Sequence, residues 1–88
     1  MFQGFVNAKL RKMNIEAKTP KELLQKAAKA TDARVCVEAM SLVMTVVSIF
    51  CQEQKMEMES IAEAKEGIKE TDEWKACMAQ YKELTARH

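Results

Sequence analysis

The chain has 88 residues and a mass of 10.0 kDa, room for one small domain with a modest core and too little for two domains. Apolar residues make up 48% and charged residues 31%, which excludes disorder on compositional grounds. Fourteen basic against thirteen acidic residues leave a net charge of +1. That gives no overall attraction to nucleic acid, so an RNA partner requires a local patch.

The composition predicts helix. Ala, Leu, Lys, Glu, Met, Gln and Arg account for 54 of the 88 residues. Two glycines and one proline are too few turn residues for an all-β fold. Gly4 and Gly67 lie far apart, so no phosphate-cradling loop is present and dinucleotide or Walker-type chemistry is not expected. Charge is divided along the chain. Residues 1–35 hold eight basic and three acidic side chains, a net +5; residues 36–88 hold six basic and ten acidic, a net −4. This describes a basic N-terminal arm, residues 1–18, ahead of a small helical domain, residues 19–88.

The first fifteen residues carry no acid, and Phe2, Phe5, Val6, Leu10 and Met13 share one side at helical spacing. Such a segment suits either a targeting presequence or a basic arm retained in the mature protein. Thr19-Pro20-Lys21-Glu22 has the pattern of a capped helix start, with a helix expected to about Ala30. Thr31-Asp32 offers a second cap.

A thirteen-residue run without charge follows from Ala39 to Cys51, AMSLVMTVVSIFC. As a helix it spans about 20 Å, short of the roughly 30 Å of a bilayer core, so a buried core helix is expected. Residues 52–66 are acidic and are expected to extend that helix or to form a solvated one. Gly67 is a candidate helix stop. Thr71 with Asp72 and Glu73 starts a last helix. Its stripe of Trp74, Cys77, Met78, Tyr81 and Leu84 is expected to pack on the apolar helix. Met40, Val43, Val47, Phe50, Trp74 and Tyr81 are the candidate packing or interface residues.

Cys36, Cys51 and Cys77 are odd in number and include no Cys-x-x-Cys pair, and the sole histidine is His88 at the terminus. No zinc-ligand spacing results, and no metal or cofactor is expected. On one helix Cys36 and Cys51 would be about 22 Å apart, too far to bridge. Cys36 and Cys77 sit on different predicted helices, which an antiparallel hairpin could bring together.

The run Cys36-Val-Glu-Ala-Met40-Ser41-Leu-Val-Met44-Thr-Val46 resembles the first helix of a coiled-coil-helix–coiled-coil-helix (CHCH) protein, and Trp74-Lys-Ala-Cys77 resembles the aromatic-x-x-Cys pattern around the last cysteine of that family. Cys36 with Met40-Ser41, preceded by a basic extension, is similar to the CHCH proteins of the mitochondrial ribosomal small subunit. The resemblance covers residues 34–46 and 74–77, about a fifth of the chain. In the family each helix carries Cys-x9-Cys; here Val46 and Gly67 stand at the inner positions, the interval between the helices is long, and Cys51 has no counterpart. The resemblance implies an outer disulfide between Cys36 and Cys77, which would stabilise by about 3–4 kcal/mol in the chain-entropy view. The alternative is three free buried cysteines acting as small hydrophobes.

The expected architecture is therefore all-α: a short helix at 20–30 and a degenerate CHCH-like hairpin of 33–65 with 71–86, preceded by the basic arm. The resemblance implies a mitochondrial, non-enzymatic structural subunit of the ribosomal small subunit, docking on rRNA and neighbouring ribosomal proteins. Lys9, Arg11, Lys12, Lys18, Lys21 and Arg34 are the candidate RNA contacts, with Phe2 or Phe5 able to stack on a base. A second reading is a CHCH-like accessory subunit or assembly factor of a respiratory-chain or ATP-synthase complex, its arm on an anionic membrane surface. A third is a helical oligomer using Met-rich surface. No small-molecule substrate is expected, because no nucleophile–base constellation is visible and the glutamates of 57–73 read as a solvated face.

Overall fold

A computed structural model describes residues 4–86, without the side chain of Phe5. It contains five helices: α1 (Gly4–Lys12), α2 (Pro20–Ala27), α3 (Ala33–Glu53), α4 (Met58–Lys69) and α5 (Asp72–Ala86). No strand occurs among the described residues, and the chain is all-α as its composition predicts. Phe2, a candidate base-stacking residue, and His88 lie outside the described residues.

The capping residues read from the sequence perform that task. Thr19, in extended backbone, accepts the Glu22 N–H at 3.1 Å, with Pro20 in the first turn of α2. The Glu22 carboxylate lies 3.5 Å from Lys26 Nζ, an i,i+4 pair along α2. Asp32 caps α3 by accepting the Arg34 N–H at 2.9 Å. Thr71 serves two helices. Its hydroxyl donates to the Ile68 carbonyl at 2.6 Å, closing α4, and accepts the Trp74 N–H at 3.3 Å, opening α5.

Of the two expectations for residues 52–66, the separate solvated helix is the one found, as α4, so the long hairpin arm ends at Glu53 rather than running to 65, and the expected stop at Gly67 is displaced. α3 ends at Glu53 in a Schellman motif: the Met56 N–H bonds to the Cys51 carbonyl at 3.1 Å and the Lys55 N–H to the Gln52 carbonyl at 3.0 Å. Lys55 takes the left-handed conformation this requires, φ 56°. The same motif ends α1, where Asn14 has φ 58° and the Ile15 N–H bonds to the Leu10 carbonyl at 3.0 Å. Asn announces such a cap and Lys does not, so the break at 54–57 was not legible. Gly67, the expected stop, lies inside α4 and is exposed. The helix passes through it and ends where the Thr71 side chain takes over.

The hairpin arms are corrected accordingly. The Cys77 thiol of α5 donates a hydrogen bond to the Cys36 carbonyl of α3, and the Gln80 side-chain amide of α5 donates to the Ala30 carbonyl at 2.6 Å. α5 therefore runs antiparallel to α3 along its first half. The reversal at 54–57 makes α4 the opening of the same return leg, packed on α3. α1 and α2 lie beside the first half of α3 and complete the bundle, which measures 42 × 26 × 18 Å.

One core results. Leu23, Leu24 and Ala27 of α2 meet Cys36, Ala39, Met40, Leu42 and Val43 of α3, with Trp74 and Cys77 of α5. Val6 and Leu10 of α1 join the same cluster, so the segment read as a basic arm contributes apolar contacts to the domain. Among the six packing candidates, Met40, Val43 and Trp74 are buried, whereas Val47 and Tyr81 are half-buried. Phe50 is 59% exposed and takes no part in the core. With 21 residues and a mean hydropathy of 1.9 over its most apolar 18-residue window, α3 is long and apolar enough to cross a membrane by length and composition, although a third of that window is buried in the core.

Two substitutions test this account in urea unfolding. Leu23→Ala, at a position with no exposed surface, is expected to cost about 2–5 kcal/mol, whereas Val37→Ala, 45% exposed, should stay within about 0.5 kcal/mol. Lys55→Gly should raise stability by up to about 1 kcal/mol, by relieving the left-handed strain at the Schellman position.

Candidate functional site

Two features bring functional side chains together: a basic surface on α1 and α2, and a buried thiol pair. On the surface, Lys9, Arg11, Lys12, Lys18, Lys21 and Arg34 are all exposed. α1 projects Lys9 and Lys12 toward the first turn of α3, where they share an open groove of about 410 Å³ with Arg34. Met13 and Val35 line it with apolar surface, and Asp32 and Glu38 add two carboxylates. The latter two follow from the register of α3, which places Glu38 four residues from Arg34 on one face.

The six cations are therefore not equivalent. Asp32 accepts hydrogen bonds from the side chain and the backbone of Arg34, which hold its carboxyl below the usual range. The Arg34 guanidinium is 3.2 Å from that carboxylate and Lys21 is 3.5 Å from Glu73 of α5, so each already has an ionic partner. Lys9, Arg11, Lys12 and Lys18 form the outward cationic surface. Lys26, absent from the sequence-based set, donates to the Glu16 carbonyl and ties the α1–α2 connection to α2.

The thiol pair lies at the centre of the core. The Cys36 thiol donates to the Ala27 carbonyl at 3.4 Å, and the Cys77 thiol donates to the Cys36 carbonyl at 3.8 Å. This links α2, α3 and α5 through side chains with no exposed surface. The hairpin thus brings together the two cysteines that the CHCH resemblance pairs, but all three cysteines carry free thiols. Cys51 is buried separately, where α3 turns toward α4. Val46 and Gly67, at the inner CHCH positions, are respectively half-buried against the core and exposed on α4. The Ala27 carbonyl as a thiol acceptor had no sequence signal, since the contact depends on how α2 crosses α3.

Burial disfavours the thiolate at both cysteines. Desolvation raises Cys36 and pushes Cys77 up to about 12, with charge on Cys36 adding to the effect at Cys77. Neither thiol is poised as a nucleophile. Among the described residues no group of His, Cys, Asp and Glu could hold a metal ion.

No family model, curated protein or solved structure matches the chain.

A raised folded-state thiol pKa contributes stability that is complete below the unfolded value and disappears as pH climbs toward the folded one. The urea midpoint is therefore expected to fall between about pH 9 and pH 12, and Cys77→Ala should flatten most of that slope. Alkylation at pH 8 should be slow in the native protein and fast for all three thiols in denaturant.

Proposed function

We propose that this chain is a non-catalytic architectural subunit that docks through its α1–α2 surface onto RNA, within the small subunit of the mitochondrial ribosome. The observation supporting RNA docking is the one-sided charge. Between Gly4 and Lys29 there are seven basic and two acidic residues, while residues 36–88 are net acidic. Lys9, Arg11 and Lys12 stand exposed on α1, which Val6 and Leu10 anchor to the core, and Lys18 is exposed in the connection to α2, so the cations are held in register by the domain. Immobilised cations on a folded surface meet phosphates at a lower ordering cost than a free arm would. The choice of ribosome rests on the residues around Cys36 and Cys77 that resemble the CHCH proteins of that particle.

A second reading is the CHCH-like accessory subunit or assembly factor of a respiratory-chain or ATP-synthase complex. It draws on the length and apolar character of α3, whose second half is only partly covered. Such a chain would contact a membrane or a membrane complex through protein and lipid rather than RNA.

Sedimentation of the full chain from mitochondrial lysate separates the two. Migration with the small ribosomal subunit, lost after ribonuclease, is the expected result; a large particle indifferent to ribonuclease would favour the second reading. Replacing Lys9, Arg11, Lys12 and Lys18 by Gln should weaken binding to an rRNA transcript and lower the slope of log affinity against log salt by about 3. An unchanged slope would remove those four side chains from the RNA interface.

A further inference from the structure

The core stripe of α3 continues past the helices that cover it. Residues seven apart lie on nearly the same line of a helix. Along α3, Cys36 and Val43 have no exposed surface, and Phe50, next on that line, is 59% exposed. Ala39 leads in the same way to Val46, Met40 to Val47 and Leu42 to Ile49, in each case from a buried residue to a half-buried one. α1 and α2, nine and eight residues long, cover only part of a 21-residue helix. A contiguous apolar patch of this kind marks an interface.

Charge on either side of the patch identifies its occupant. α5 runs antiparallel to α3, so Glu73 lies nearer the patch than Cys77 does. Lys21 pairs with Glu73, which points the start of α2, with Lys18 and Lys21, toward the patch. Beyond the other end lies the reversal at 54–57, in and beside which Glu53, Glu57 and Glu59 outnumber Lys55, and α4 returns from it along α3. The patch thus separates a basic end from an acidic one. An acidic rim repels an anionic membrane or an RNA backbone and attracts a basic surface.

We infer that the patch is covered by the same patch of a second copy, with the two α3 helices antiparallel in a twofold dimer. An isologous contact about Val46 and Phe50 brings the acidic reversal of each chain, including Glu57 and Glu59, to the Lys18–Lys21 end of its partner, twice by symmetry. The dimer extends beyond the RNA-docking role and does not rest on it. It forms in the isolated protein and draws on only one of the outward cations, Lys18.

The test is sedimentation equilibrium of the full reduced chain in RNA-free buffer, from about 1 to 100 µM. The expected mass rises from one to two chain masses, and added salt shifts the midpoint to higher concentration. Phe50→Glu, at an exposed position, should weaken association at least tenfold with unchanged helical circular dichroism. Glu57→Lys should weaken it, as should Lys18→Glu, and the two changes combined should restore it. This swap alters no core residue, so it tests the arrangement even if Phe50→Glu is unstable. A single-chain mass throughout, open-ended oligomers, or a charge swap without rescue would overturn the proposal. So would a monomer that phosphatidylcholine vesicles take up through Phe50, which would assign the face to lipid. Because no RNA is present, failure of the ribosomal reading leaves every outcome readable.

Discussion

The fold depends on the close approach of α2, α3 and α5 at a point where their side chains are small. Ala27, Cys36, Ala39 and Cys77 have no exposed surface, and two thiol hydrogen bonds run through them from the α2 carbonyl to α3 and from α5 to α3. Larger residues there would hold the helices apart and open space around Leu23, Leu24 and Val43. A free cysteine suits the position because it fills the volume of a small hydrophobe and still satisfies a backbone carbonyl. The same burial that makes the thiols good packing groups makes them poor nucleophiles, so structural use and chemical inertness have one cause.

From that junction the molecule divides into unlike halves. The first half of α3 is enclosed by α1, α2 and α5, and this is where the basic residues of the N-terminal third are displayed. The second half is accompanied by α4, a helix with no buried residue, and it carries the acidic charge. Val6 and Leu10 attach α1 to the core, which converts a charged segment into a surface of defined shape. A net charge of +1 therefore conceals two ends of opposite sign, with the exposed ring of Phe50 between them. Ion pairs within the basic end, Arg34 with Asp32 and Lys21 with Glu73, distinguish cations committed to the fold from those turned outward.

Much of the local structure was legible because it depends on neighbours in sequence. Thr19, Asp32 and Thr71 cap helices through bonds that span two or three residues, and the Trp74–Leu84 stripe packs on α3 as its spacing predicts. The reversal at 54–57 was not legible, since it needs Lys55 in a conformation its residue type does not favour. Gly67 misled for the opposite reason: glycine permits a left-handed stop without requiring one. The bridge implied for Cys36 and Cys77 shows the same limit at the site. The cysteines are neighbours in space, as the hairpin demands, yet their thiols are free.

The helical class, the capped starts of α2, α3 and α5 and the separation of charge can all be read from the chain, because they follow from propensity, short-range hydrogen bonds and composition. Where the hairpin turns, which cations remain outward, and why Val6 and Leu10 join the core while Phe50 does not are settled by helix packing. Those outcomes depend on how far each helix reaches along α3, and burial belongs to the whole set of packed neighbours rather than to any residue's own chemistry.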